Sequence, residues 1–348
     1  MPLFFNALEA GAHRLSIVPP MFDYFGALGL HALVAAARMG VFDALGERPS
    51  TGGELAATLN LDPHASGVLL RSLAGLGYLR VRGGRYRLTR TARLWFTTDS
   101  PTSLVAGLEF WERTACVIWP RMEKAVRDGS PVTPFYALLE SDPELSRSFQ
   151  AWTGALARRQ APAAARVVPV PRGAGRVLDV GGGHGLVSVE LLRLHPGLRA
   201  TVIDLPGALE AAAEHPRLTL RAGSFLDDDL GDGYDAVLLF NVLHGLDDQE
   251  AATLLRRLAA ALNPGGAIVV GDQFADSLMP GRASRTLLRL LDLNYLVAAG
   301  GRVRGFREVA HMLRAAGFRR PRHRRPLRSV ATELAVARTP SRPVLRRG

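Results

Sequence analysis

The sequence predicts an α/β protein: a doubly wound, largely parallel sheet over residues 171–348, preceded by a small winged-helix domain over 1–100 and a helical stretch over 101–170. Three observations predict it. From Arg176 onward apolar strands alternate with amphipathic helices, the signature of a parallel sheet covered on both faces. The first strand of that series runs into Gly181-Gly182-Gly183-His184-Gly185, with a helix directly after it. Ahead of it, three helices are followed by two short strands about the turn Arg82-Gly83-Gly84-Arg85.

Residues 1–27 are apolar around Pro19-Pro20. Phe4, Phe5, Phe22, Tyr24 and Phe25 have no core of their own to fill, so this segment is expected to pack on something else. Leu30, Leu33, Val34 and Ala37 at helical spacing predict a helix over 29–45. Thr51 with Glu54 three residues later is a capping box opening a second helix, and a third runs over 65–75 after Asp62-Pro63. Tyr78–Val81 and Tyr86–Leu88 complete the wing. A winged helix read alone points to DNA, but the third helix offers only Arg71 and His64 for bases or phosphates. Residues 100–165 are helical and carry Phe110, Trp111, Trp119, Phe135, Tyr136, Phe149 and Trp152, an aromatic stripe that residue by residue reads first as core.

The sheet is expected as strands 176–180, 199–204, 218–222, 234–240 and 267–272, with helices 186–194, 207–214 and 248–262 between them. A helix over 305–316 then precedes strands 319–326 and 329–337, the last inserting antiparallel. Ligands of such sheets bind at the carboxyl ends of the strands, where Asp179, Asp204, Ser224, Phe225, His244 and Asp272 all fall.

The glycine loop lets a ligand approach bare main chain next to a helix N-terminus. A Gly-x-Gly-x-x-Gly fingerprint begun at Gly181 meets Leu186 where glycine is required, and one begun at Gly183 meets Ser188, which weakens a dinucleotide reading. Asp179 would repel a diphosphate but suits an ammonium or sulfonium, and Asp204 ends the second strand where a ribose diol is bound. Glycine loop and two acids together point to S-adenosylmethionine.

At these residues the chain resembles a known family. Asp179 with its glycine loop, Asp204-Leu205-Pro206, Asn241-Val242-Leu243-His244 and Asn263-Pro264-Gly265-Gly266 are similar in order and spacing to the plant caffeate-type and bacterial polyketide-type small-molecule O-methyltransferases, over residues 30–338. The resemblance implies a Rossmann-like methyltransferase sheet, an otherwise all-helical winged-helix module used for dimerisation, and a homodimer that exchanges N-terminal segments. It implies S-adenosylmethionine as cofactor, S-adenosylhomocysteine as product and no metal. Asp179, Gly181, Gly183, Asp204, Leu205, Ser224, Phe225 and Phe240 would bind the cofactor, and Trp111, Phe149, Asn241 and Asn294 the substrate. His244 would be the general base and Asp272 the acid orienting it; an unperturbed imidazole, with a pKa of about 6.5, accepts a proton at neutral pH.

Three positions depart from the plant pattern. Gly245-Leu246 stands where Asp-Trp follows the histidine, Val303 falls on a second acid flanking the base, and Ser224 falls on the adenine-contacting acid. Glu308 could replace the lost acid, though its amphipathic helix favours a solvent-facing role. Two alternatives therefore stay open: a relative that binds the cofactor but hydroxylates, decarboxylates or cyclises, and a winged-helix regulator sensing a metabolite.

Composition bounds the rest. Of 348 residues 47% are hydrophobic and 22% charged, a globular balance. One cysteine, Cys116, excludes an internal disulfide and a cysteine-built zinc site, and makes the cytoplasm the expected compartment. Glu9, His13 and Arg14 break up the apolar N-terminus, so no signal peptide is read, and no uncharged run spans a bilayer. The net charge of +11 is concentrated after Phe318, where ten arginines meet one acid, Glu333. Without aromatics among them these arginines read as a solvated edge hairpin and tail, not a nucleic-acid or membrane patch.

Overall fold

The structure, a computed structural model, describes residues 20–171, 173–276, 282–325 and 333–341. Phe4 and Phe5, the side chain of Phe22, and part of the arginine-rich C-terminal region lie outside the described residues. The chain divides into two compact units, residues 1–117 with 147–156, and residues 118–146 with 157–348, so the stretch 101–170 is shared between them.

In the first unit the helix expected over 29–45 is two helices, α1 (Pro20–Arg38) and α2 (Val41–Glu47). Gly40 separates them with a left-handed φ of 74°, a conformation open to glycine that starts α2 on a new axis. α3 (Gly52–Leu59) opens with the expected capping box, Thr51 and Glu54 each bonding the other's backbone N–H. α4 (Pro63–Gly75) is capped by the Asp62 carboxylate, which accepts from Ala65 N at 2.7 Å. β1 (Leu79–Arg82) and β2 (Arg85–Leu88) form the antiparallel wing, and Arg85 forks onto both oxygens of Glu54 at 2.7 and 2.9 Å, tying wing to α3. α5 (Arg90–Phe96) and α6 (Val105–Arg113) complete the helices that enclose Leu33, Phe42, Leu45, Leu70, Leu73 and Leu108.

The 100–165 stretch is helical in pieces: a π turn over Thr114–Ile118, a 3-10 turn over Trp119–Arg121, then α7 (Met122–Asp128), α8 (Phe135–Ser141) and the long α9 (Pro143–Val167).

In the second unit β3 (Arg176–Val180), α10 (Leu186–Leu194), β4 (Arg199–Asp204), α11 (Pro206–Leu209), β5 (Leu218–Ala222), β6 (Tyr234–Phe240), α12 (Asp248–Ala261), β7 (Leu262–Asp272), α13 (Arg282–Ala299), α14 (Phe306–Ala315), β8 (Arg319–Arg324) and β9 (Glu333–Arg338) build a seven-stranded sheet in the order β5-β4-β3-β6-β7-β9-β8. The five strands β3 to β7 pair in parallel, and β9 enters antiparallel to both β7 and β8. Alternate residues of each strand feed two cores. Leu178, Val237, Ile268 and Val270 meet Leu254 and Leu258 of α12 and Leu313 of α14 on one face, while Val177, Leu238 and Val269 meet Leu191 and Leu192 of α10 on the other. This two-sided burial accounts for strands that read as nearly continuous apolar runs. The helix expected over 207–214 is the single turn α11, and β7 starts five residues early because Leu262 already pairs with Tyr234 before a bulge. Among the described residues no single helix is long and apolar enough to cross a membrane.

Candidate active site

The strand order sets the carboxyl ends of β5, β4, β3, β6 and β7 side by side, and the chain places an acid, a glycine loop or an aromatic at each. At the end of β3 the loop turns through Gly181, Gly183 and Gly185, all left-handed, at φ 64°, 48° and 65°. Gly182 folds over the Asp179 carboxylate so closely that a Cβ there would lie 2.6 Å from its carboxyl carbon. Asp179 is 2% exposed, its Oδ2 accepts from Ser188 Oγ at 2.7 Å, and burial pushes its pKa up to about 7, with the nearby Asp204 charge acting in the same direction.

Asp204, at the end of β4, accepts from Gly183 N on Oδ2 and from Leu205 N on Oδ1, both at 2.8 Å. Burial raises its pKa against the pull of those two amides. After β5, Ser224 Oγ donates to Asp227 at 2.7 Å and Ser224 N donates to Asp228 at 2.8 Å, so Ser224 is engaged within its own turn. Phe225 stands beside the loop: a Cβ on Gly181 would come within 3.5 Å of its ring and within 2.6 Å of Val242. At the end of β6, Phe240 brings the edge of its ring against bare Gly271, where a Cβ would sit 2.3 Å from the nearest ring carbon.

His244 sits on a 3-10 turn, Leu243–Gly245, just beyond β6. Its Nδ1 is 2.8 Å from Asp272 Oδ1 and its backbone N–H donates to Asp272 Oδ2 at 3.2 Å. Two further supports fix the turn. The buried Arg304 guanidinium donates to the carbonyls of Leu243 and Leu246 and to Asp248 Oδ1, and Gly301 lies so close that a Cβ would be 1.9 Å from the His244 carbonyl oxygen. Val303 is buried and its N–H donates to Asp292 at 2.7 Å, while Glu308 is bound by Arg302; neither brings a carboxylate to the imidazole.

The family model for the O-methyltransferase domain matches residues 126–319, and that for the O-methyltransferase dimerisation domain matches residues 24–98. The chain belongs to the S-adenosylmethionine-dependent O-methyltransferases. It is 31% identical to the 3-hydroxy-5-methyl-1-naphthoate 3-O-methyltransferase of Streptomyces sahachiroi, over 82% of this chain and 84% of that one. It is 32% identical to the acetylserotonin O-methyltransferase of Bos taurus, over 84% and 90%. The structure of human N-acetylserotonin methyltransferase in complex with S-adenosylmethionine superposes with a TM-score of 0.81 at 27% identity, covering 95% of this chain and 98% of that one. This O-methyltransferase acts on small molecules with S-adenosylmethionine as cofactor, and its winged-helix module is the dimerisation domain of the family. The regulator reading falls with that assignment.

The remaining expected residues of the O-methyltransferase are distributed as follows. Asn241, left-handed at φ 55°, accepts from Gln273 Nε2 at 3.1 Å, and Asn294 accepts from Trp119 Nε1 at 2.9 Å. Trp111 and Phe149 belong to the first unit, Trp111 packing edge-on against Trp152 at 4.6 Å and Phe149 against Phe110 at 5.2 Å. Sequence reasoning missed Ser188, Gln273 and Tyr295, each of which touches an expected residue, and Arg304, which bonds the carbonyls on either side of the His244 turn. Ser188 carried a signal, nine residues after Asp179 and one helical turn into α10; the others lie in runs with no motif. Among the described residues no three His, Cys, Asp or Glu side chains converge as a metal site.

Proposed function

We propose that this O-methyltransferase methylates a hydroxyl of an aromatic or polyketide-like small molecule, with His244 as general base, Asp272 as its orienting partner, and the cytoplasmic homodimer as the working form. The observation that carries the reading is the 2.8 Å contact between His244 Nδ1 and Asp272 Oδ1 at the carboxyl edge of the sheet, on the same row of strand ends as the glycine loop. S-adenosylmethionine supplies a methyl group on a cationic sulfur and leaves as S-adenosylhomocysteine.

The chain's residues fit that group. The loop from Gly181 to Gly185 leaves backbone bare where side chains would clash with Val242 and Asp179. Asp204, on a carboxylate already held by two amides, is assigned the ribose hydroxyls, with Leu205 beside it. Asp179 balances the cationic end, Ser224 and Phe225 flank the adenine, and Phe240 closes the floor. With Nδ1–H given to Asp272, the lone pair on Nε2 is free to take the proton of the substrate hydroxyl, and the carboxylate stabilises the imidazolium that forms. One carboxylate serves the base, because Val303 and Gly245 supply none. Most of the rate then comes from holding the two reactants in line. The resemblance to the family assigns substrate contacts to Asn241 and Asn294, which are polar, and to Trp111 and Phe149, which are apolar. The aromatic class is supported by those aromatic side chains and by relatives such as the naphthoate methyltransferase. The homodimer is supported by the dimerisation-domain match and by Tyr24, Phe25 and Leu28, exposed on α1.

The test is His244→Ala. S-adenosylhomocysteine affinity by calorimetry stays unchanged, while transfer to a panel of phenols and hydroxynaphthoates, read by product mass, falls at least about a hundredfold. Undiminished transfer would remove the histidine from the mechanism.

A further inference from the structure

We infer that Tyr295 is a positioning residue for the base: stacked on His244 and locked through Gln273 to Asn241, it holds the imidazole in one plane and stabilises it once protonated. The inference rests on the reading of His244 as base. The Tyr295 and His244 ring centroids are 4.0 Å apart and the planes differ by 8°. A single hydrogen bond to Asp272 fixes which nitrogen points where, but leaves the ring free to rock about the Nδ1 to Oδ1 line. A second ring lying flat on the first removes that rocking and keeps water from one face.

Tyr295 is itself held. Its hydroxyl donates to Gln273 Oε1 at 2.9 Å, Gln273 Nε2 donates to Asn241 Oδ1 at 3.1 Å, and Gln273 N donates to Asp272 Oδ1 at 2.9 Å. The contacts close a circuit, His244 to Asp272 to Gln273 to Tyr295 and back to His244, so no member moves without straining another. Burial raises the Tyr295 hydroxyl's pKa, with the Asp272 charge acting in the same direction, so it stays a neutral donor throughout the working range.

The stack also acts on the chemistry. The face of an aromatic ring attracts a cation, so Tyr295 favours the imidazolium that forms as the hydroxyl proton arrives. Among the described residues, the charged and titratable groups that bond or stack on His244 and its turn are Asp272 from β7, Tyr295 from α13, and Arg304 with its partner Asp248 from the segment beyond α13 and from α12. Gly301 contributes backbone alone.

Two variants separate ring from hydroxyl. Tyr295→Phe keeps the stack but opens the circuit at Gln273, and is expected to lower kcat about threefold with the acidic limb of the pH–rate profile in place. Tyr295→Leu removes the ring and is expected to lower kcat about tenfold, leave S-adenosylhomocysteine affinity alone, and move both that limb and the His244 midpoint in a histidine-selective NMR titration to lower pH. If the leucine variant folds poorly, Tyr295→Met is measured in its place. A His244 midpoint that stays put when the ring is removed overturns the inference. The NMR signal, assigned by its loss in His244→Ala, reports on the stack whether or not that variant retains transfer, so failure of the base and failure of the stack are told apart.

Discussion

The Asp204 carboxylate reaches across from the end of β4 to the amide of Gly183 at 2.8 Å, so the acid assigned to the ribose also shapes the loop that faces it. Its other oxygen is held by Leu205 N at the same distance. Loop conformation and ligand affinity should therefore fail together.

Asp204→Asn replaces one acceptor oxygen with an N–H donor that must face either the Gly183 or the Leu205 amide. The dissociation constant for S-adenosylhomocysteine is expected to rise at least about tenfold, with a lower melting temperature of the ligand-free protein. Calorimetry and a thermal melt check both. Native affinity in this variant would remove Asp204 from the cofactor site.

Asp179 gives the site a pH dependence whose sign can be worked out. In the folded, ligand-free chain burial raises its pKa to about 7, against the ordinary aspartate value of 3.8. Between those values the folded state holds a proton that the unfolded chain has lost, so stability falls as pH rises, by up to about 1.4 kcal/mol per pH unit. The raised pKa of Asp204 acts with the same sign. A bound cation favours the ionised form, so S-adenosylmethionine affinity should rise with pH up to about 7 and binding should release a proton. Calorimetry at pH 6.5 in two buffers of different ionisation enthalpy measures that release, and Asp179→Asn should abolish it.

Gly301→Ala tests how the base is seated. The added methyl would overlap the His244 carbonyl, so the turn must shift, at a cost of about 1–3 kcal/mol in stability. The kcat should fall while cofactor affinity, set by β3 and β4, is retained. A variant that melts and turns over like the parent would show that the two segments are not in contact.

Much of this was legible in the sequence because the signals were local. Glycines that need positive φ, acids at strand ends, the Thr51 and Glu54 cap and the two-sided apolar strands are each set by a few neighbouring residues, and they mark β3, β4, β6 and α3. Helix breaks were less legible. One glycine, Gly40, divides a continuous apolar pattern, and nothing near 207–214 signals that the helix stops after one turn. Tyr295, Gln273 and Arg304 were missed for a related reason: each matters through a residue distant in the chain, and an aromatic or arginine in an amphipathic run reads as ordinary packing until the sheet brings β7 and α13 together.

The antiparallel entry of β9 has a consequence for synthesis. β7, which carries Asp272, pairs with β6 on one side, but its other edge is closed only by residues 333–338, made some sixty positions later. Until they emerge, the growing chain presents an open apolar edge, Ile268 to Val270, to any other strand nearby. Shortening the protein from its far end into β9 would thus do more than trim a tail: it would strand Asp272, the carboxylate bonded to His244, on a sheet margin prone to aggregation.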